Sequence, residues 1–421
     1  IGSDVSAFIR HSKRVIYVED DNIAEITRQY VKVFDLDGNP VEPKITEIDW
    51  DAAMAERGGY DHFMIKEIHE QPRALRETMR GRLHGDNDPV ELPGINLTDE
   101  EIKKINRIVM IACGTAYHAS VAGKYVFEQL CRIPVEVDVA SELRYRDPVI
   151  DENVLGIAIT QSGETIDTIV GLREAREKGA KVVTITNVVG SLASREADGT
   201  LYTYAGPEIA VASTKAYTTQ IMVLNLMALH FAQVRGTITP ERAAQLRAAL
   251  RKLPEQAEEI LKDYRDLLAI AQRYHTFNGF LLMARGINLA SALEGALKIK
   301  EISYKHAEGY AAGEMKHGPI AMIDPCFATI AITPKSATYD KMLGNIREIK
   351  ARCGEVIAIA NHGDNVIDDY ADHVLRIPET EELWSPVLVA LPLQLIAYYG
   401  AKDLAPGIDQ PRNLAKTVTV E

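Results

Sequence analysis

Four places in this sequence carry residue types and spacings that could do chemistry. The first is Thr160-Gln-Ser-Gly-Glu-Thr165, which follows an apolar strand pattern and opens a helical one. Short hydroxyls and backbone N–H groups at a helix N-terminus, with its partial positive charge, can hold a phosphate monoester without any arginine. The same residues also suit plain helix capping by Ser162 or Thr165. The second is the helical segment Ala292–Tyr304. Lys298 and Glu301 lie three apart on one face and could reach one ligand together. Glu294/Lys298 and Glu301/Lys305 are also i,i+4 pairs of the kind that decorate solvated helices. The third is His317, in Lys316-His-Gly-Pro319, an imidazole that titrates near neutrality when unperturbed. The fourth is Lys416 in the C-terminal tail, a nucleophile toward carbonyls once it loses its proton. A tail lysine is ordinarily solvated, but Val418 and Val420 and the absence of a charged run suggest a segment that docks.

The elements that must position these groups announce themselves by repetition. Ile108–Leu130 matches Phe280–Lys300: each has an apolar run ending in glycine (Gly114, Gly286) and a second glycine nine residues on (Gly123, Gly295). Ile157–Asn187 likewise matches Ile330–Asn361, with Thr165, Asp167 and Gly171 recurring at constant spacing as Thr338, Asp340 and Gly344. Strands are expected at Ile108–Cys113, Leu155–Thr160 and Val182–Thr186, and again at Phe280–Ala284, Thr329–Thr333 and Val356–Ala360, alternating with helices. That order implies two duplicated α/β domains, each a parallel sheet flanked by helices, with the loops after the strands along one edge. The copies differ where it matters: the second has Thr333-Pro-Lys-Ser-Ala-Thr338, without the counterparts of Ser162 and Gly163. A loop needed only for folding would be kept in both, so one copy reads as binder and the other as scaffold. A long, charged and helical segment, Glu241–Arg273, links the copies. Upstream, Arg14–Glu19 and Tyr30–Phe34 read as strands around an Asp35–Gly38 turn, and residues 51–92 as polar and helical, including Ile65–Met79.

Composition excludes several classes. The 421 residues are 46% hydrophobic and 25% charged, with a formal charge of −13. So acidic a chain disfavours nucleic acid and anionic membranes. An anionic substrate needs a local device to overcome that field. The longest apolar run, Val387–Ala397, is short for a bilayer and interrupted by Pro392. Four scattered cysteines without CxxC spacing or an adjacent histidine suggest free thiols, no metal site and a cytoplasmic location, and Ile1-Gly-Ser-Asp4 has no signal-peptide character. Neither a P-loop nor a GxGxxG fingerprint is present, so no nucleotide cofactor is expected.

Five separated motifs, Cys113-Gly-Thr115, Thr160–Thr165, Val211–Ala216, Leu293–Pro319 and Asp409–Glu421, together with Asn22–Arg28, resemble the glutamine–fructose-6-phosphate aminotransferase (glucosamine-6-phosphate synthase) family over essentially the whole chain. The resemblance implies two sugar-isomerase (SIS) domains and an irregular catalytic tail. It divides the chain into 1–45, a remnant of a glutamine amidotransferase domain; 46–92, a helical linker; 93–236 and 237–405, the two SIS domains; and 406–421, the tail. It implies that fructose 6-phosphate is held by Ser162 and Thr165 with Thr160 and Gln161, and that Val211, Ser213, Thr214, Thr115 and Ala415 line the same pocket. Ala116 stands where the family often has a hydroxyl, leaving Thr115 for that contact. By the same likeness His317, from a neighbouring subunit of a homodimer, opens the ring. Glu301, with Lys298 beside it, moves a proton between C1 and C2. Lys416 forms an imine with the open ketose. Ammonia released from glutamine would yield glucosamine 6-phosphate, but the family's N-terminal catalytic cysteine has no counterpart before Cys113, so no glutaminase activity is expected of these residues. A fructosamine-6-phosphate deglycase and a non-catalytic sugar-phosphate sensor share the double SIS layout. The Asn22–Arg28 stretch and the Lys416 tail argue against the first. The lack of a helix-turn-helix or a basic face argues against the second.

Overall fold

The computed structural model describes residues 1–2, 11–19, 21–47, 56–85, 88–404 and 407–419. Val420 lies outside them, as do residues 48–55 of the expected linker. The chain divides into two compact units, Ile1–Gly59 and Tyr60–Glu421.

The first unit is antiparallel. Strand β1 (Arg14–Ile16) pairs with β5 (Ile45–Glu47), and β2 (Asn22–Ile26), β3 (Val31–Asp35) and β4 (Pro40–Val41) form a three-stranded sheet in that order. The expected strand over 14–19 is shorter than its apolar run, and β2, β4 and β5 are strands the sequence reading missed. Their residues are half-exposed and lack the strict alternation that marks a one-faced strand.

In the second unit, helix α1 (Phe63–Met79) is all that is helical in the described part of 51–92. A short α2 (Asp99–Lys104) follows, closed by a capping box between Thr98 and Glu101. Then come two five-stranded sheets, both wholly parallel. The first contains β6 (Arg107–Ala112), β7 (Val135–Val139), β8 (Val154–Ile159), β9 (Lys181–Thr186) and β10 (Gly199–Tyr202), in the order β10-β9-β8-β6-β7. The second contains β11 (Gly279–Ala284), β12 (His306–Ala311), β13 (Phe327–Ile332), β14 (Glu355–Asn361) and β15 (His373–Ile377), in the order β12-β11-β13-β14-β15. The winding is identical in both: each sheet starts at an inner strand, steps to one edge, then reverses. All six strands expected from the repeat are present. The missed ones, β7, β10, β12 and β15, are the sheet edges, whose partly exposed residues dilute the apolar signal.

Helices α3 (Gly114–Cys131) and α7 (Lys215–Arg235) cover the inner face of the first sheet, and α10 (Leu289–Ser303) and α12 (Ser385–Ala401) that of the second. With α1 and α8 (Pro240–Lys262) they merge into one continuous apolar core. Smaller outer cores lie under α4 (Ala140–Leu143) and α5 (Ile166–Glu177), and under α11 (Tyr339–Lys350). Alternation along β6 divides its residues, Ile108, Met110 and Ala112 facing the shared core, Val109 and Ile111 the outer one. The repeated glycines are close-packing points. A Cβ on Gly123 would lie 3.0 Å from Leu224, and one on Gly295 would lie 2.7 Å from Leu282.

Glu241–Arg273 is helical as expected, but in two pieces: α8 ends at Lys262, Asp263 adopts an extended backbone, and α9 (Arg265–Arg273) starts afresh with the Asp263 carboxylate accepting the Arg265 N–H. One expectation needs correction. Pro392 does not interrupt the Val387–Ala397 run, since α12 continues through it. A mid-helix proline costs about 3 kcal/mol. Burying several Val, Leu and Ile side chains at about 1.5–3 kcal/mol each outweighs that. Residues 382–401 are in fact long and apolar enough to cross a membrane, but 94% of that window is buried inside the protein. It is a core helix.

Candidate functional site

The strand order reverses between β6 and β8, and the loops leaving those two strands open a crevice at the carboxyl edge of the first sheet. Such switch points are where ligands settle in open α/β sheets. From β6 the chain passes through Cys113 and Gly114 into α3, placing Thr115 on its first turn. From β8 it runs through Thr160–Thr165 into α5.

The second loop is shaped by Gly163, which sits at φ +71°, and a Cβ there would lie 2.0 Å from Ser191 Oγ. The Thr160 hydroxyl accepts the Gly163 N–H at 3.2 Å and lies 3.1 Å from that of Thr165, while Ser162 Oγ accepts the Glu164 N–H. Thr165 is the N-cap of α5, but its side chain makes no capping bond. Instead the Ile166 N–H is taken by the carbonyl of Val418, so the tail lies across this helix terminus. In the second copy the corresponding loop has one N–H engaged by a carboxylate of its own chain: the Ala337 N–H donates to Glu382 at 3.4 Å.

A cavity of about 330 Å³ opens at this point. Thr115, Thr160, Gln161, Ser162, Thr165, Val211, Ser213, Glu301, Ala415 and Lys416 all line it, together with Cys113, Gly114, Ala116, Ile159, Thr168, Gln220, Leu414 and Val418. Three of the expected site residues do not. Thr214 is buried behind the wall, its N–H donating to Glu208 and its carbonyl accepting from Gln394 Nε2. Lys298 is fully buried one step behind Glu301. His317 lies exposed at the end of a 3-10 turn (Ala312–His317), away from this cavity.

The helix carrying Glu301 is not a solvated one. Lys298 Nζ stands 2.6 Å from Glu301 Oε2, 3.3 Å from Glu294 Oε1 and 3.1 Å from the Thr115 hydroxyl. Burial alone would push this lysine down, but the two carboxylates raise it above its ordinary value and keep it charged. Glu294 is further held by Thr115 Oγ1 and by His118 Nδ1 at 2.8 Å. The Glu294–Lys298–Glu301 row thus serves as a buried brace that presents one carboxylate to the cavity.

Lys416 is held on the opposite side. Its ammonium donates to Glu208 Oε2 at 2.6 Å and to the Ala210 carbonyl at 2.8 Å. Glu208 also accepts the Ser213 hydroxyl and the Thr214 and Ala216 N–H groups. Burial would raise the Glu208 carboxyl, but Lys416 and these donors outweigh it and hold it at about 2. Elsewhere the tail is tied down by Asp409, whose carboxylate accepts the Phe63 and Met64 N–H groups at the start of α1, and by Arg412, stacked 4.2 Å over Tyr304. Docking of the tail is therefore polar as much as apolar. Sequence reasoning missed Glu208 and Glu294. Glu208 sits in a loop with no periodic signal, while Glu294 was visible only as half of a surface-like pair.

A sequence profile for the SIS domain matches residues 101–230 and 278–401. The glutamine–fructose-6-phosphate aminotransferase (isomerizing) of Caldanaerobacter subterraneus is 48% identical over all 421 residues of this chain, which span 69% of that relative. A Thermus thermophilus enzyme of the same name is also 48% identical with the same coverage. The chain belongs to the glutamine–fructose-6-phosphate aminotransferase family. Among solved structures, the C-terminal domain of the Francisella tularensis glucosamine–fructose-6-phosphate aminotransferase superposes with a TM-score of 0.79 at 35% identity, covering 85% of this chain and all of that one. Within the aminotransferase family this chain is the SIS portion, and the cavity opens at the carboxyl edge of the first repeat's sheet, with Glu301 contributed by the second repeat and Lys416 by the tail.

Proposed function

We propose that this chain binds fructose 6-phosphate in the first SIS repeat and isomerises it, forming glucosamine 6-phosphate when ammonia is supplied. What carries this reading is one cavity that joins the Thr160–Thr165 loop to an amine, Lys416, and a carboxylate, Glu301. The loop offers hydroxyls and a helix N-terminus to the phosphate, the local device an acidic chain requires. The other end of the open-chain sugar then reaches Lys416 and Glu301.

Lys416 must first give up a proton to solvent, because Glu208, its ion-pair partner held at about 2, is too weak a base to keep it. The free amine adds to the C2 carbonyl, and loss of water leaves an imine. Ammonia displaces the lysine to give the C2 imine of the sugar. Glu301 then removes a proton from C1 and returns it to C2, while the C1 hydroxyl proton is lost and the nitrogen gains one, leaving an aldehyde at C1 and an amine at C2. Lys298, braced by Glu294, fixes the direction in which that carboxylate points. His317 opens the ring from a neighbouring subunit, which makes the working species a homodimer. We further read 93–236 and 237–405 as the two SIS domains, 406–421 as the catalytic tail, and residues 1–45 as amidotransferase-derived, on the likeness of Asn22–Arg28. All four cysteines are free, which accords with a cytoplasmic setting.

The test is direct. The chain mixed with fructose 6-phosphate should release glucose 6-phosphate. Borohydride added during turnover should leave a reduced hexose-phosphate adduct on the peptide containing Lys416. Adduct on another lysine, or none, removes Lys416 from its role; binding without turnover makes the protein a sensor.

A further inference from the structure

Helix α1 precedes both repeats, yet it reaches the wall that holds Lys416. Glu67, on α1, is 1% exposed. Its Oε1 accepts the backbone N–H groups of Ile209 at 2.6 Å and Ala210 at 3.2 Å. Its Oε2 is buried with no hydrogen-bond partner among the described residues. The turn so tied down is the one that grips the catalytic amine. Glu208, next to Ile209, takes Lys416 Nζ, and so does the carbonyl of Ala210. The N–H of the same Ala210–Val211 peptide donates to the Asp409 carbonyl at 2.9 Å, so the tail is bound twice to this turn.

A side chain kept here only for packing would be apolar. Burying an acid without a bonded cation carries a penalty, and leaving two buried N–H groups unpaired carries another. Glu67 removes the second penalty at the expense of the first, which makes sense where the geometry of the turn itself matters.

We propose that Glu67 is a positioning residue for Lys416, fixing the 208–211 turn so that Glu208 and the Ala210 carbonyl hold the amine at the cavity wall. This rests on the reading of Lys416 as the imine-forming group. The electrostatics fit the geometry. Burial, then the charge of Glu208, pushes the Glu67 carboxyl up to about 8 against the pull of Lys215 and Lys416. The two carboxyls that meet at this turn, Glu67 from α1 and Glu208 within the turn itself, therefore stand on opposite sides of neutrality. A neutral Glu67 adds no second anion behind Lys416. A second anion would hold the amine more firmly protonated and oppose its attack on a carbonyl.

Three variants test this: Glu67→Leu, which keeps bulk without an acceptor; Glu67→Asp, which withdraws the acceptor and carries the test if the leucine variant does not fold; and Glu67→Gln, which keeps an uncharged acceptor. Two readouts are used. One is steady-state kinetics with fructose 6-phosphate. The other is the rate at which acetic anhydride modifies Lys416, followed by peptide mass spectrometry. In the Leu and Asp variants kcat should fall about tenfold to a hundredfold with KM within about twofold, because the phosphate loop is untouched. Acetylation of Lys416 should quicken about threefold or more as the grip loosens. The glutamine variant should restore most of both. Leu and Asp variants matching the wild type in both readouts, or a Gln variant as impaired as Leu, overturn the proposal. Absence of wild-type turnover strikes the functional reading instead, and the acetylation series still decides the role of Glu67.

Discussion

At the scale of single residues, Lys298 and Glu301 were legible as a pair because helical spacing puts them on one face. Spacing could not say whether that face meets water. Full burial of Lys298, with Glu294 and Thr115 closing around it, turns a pattern common on surfaces into a brace. Gly163 is the other decisive residue, since both its positive φ and the nearness of Ser191 demand glycine. Gly163→Ala would add about 1–2 kcal/mol of left-handed backbone cost. The clash with Ser191 then forces the loop open. KM for fructose 6-phosphate should rise about tenfold or more in steady-state assays. A variant with wild-type KM and melting temperature would show that the loop does not need this conformation.

At the scale of elements, what is local was readable and what is distant was not. The capping box of α2 and the Thr239 cap of α8 are adjacent in sequence to the helices they close. The cap of α1 is Asp409, at the far end of the chain, and nothing near Phe63 announces it. Asp409→Ala removes an acceptor for two N–H groups and should cost about 1–2 kcal/mol. It should also free the tail, so a lowered melting temperature should come with faster proteolytic cleavage between Ile408 and Lys416. Unchanged cleavage would mean that Arg412 and Val418 anchor the tail without it. The edge strands β7, β10, β12 and β15 escaped notice for a related reason: a strand paired on one side only has less need of apolar residues, and its signal fades into that of a loop.

At the scale of the whole molecule, duplication explains the architecture, and its breakdown explains the site. Both sheets share one winding and one core, but the second copy satisfies its loop amide with Glu382 while the first leaves its loop facing a cavity. His317 does not line that cavity within its own chain, and the homodimer reading supplies it from a neighbour. Mixing His317→Ala and Lys416→Ala chains, each inactive alone, tests this. Random reassociation should restore about a quarter of wild-type activity, since half the dimers then hold one intact site of two. No recovery on mixing, with exchange verified by native mass spectrometry, would place the working histidine in the same chain as the lysine.

The amino-acid sequence by itself determined the duplicated parallel α/β fold, because strand and helix periods and the repeated glycines are properties of neighbouring residues. It also singled out the Thr160–Thr165 loop, through the contrast between two copies of one pattern. Only the tertiary structure decided that Glu67, Glu208 and Glu294 belong around the cavity and that the tail closes over α5. Those facts are contacts between residues far apart in the chain, and a buried carboxyl acquires its meaning from the groups that replace water around it.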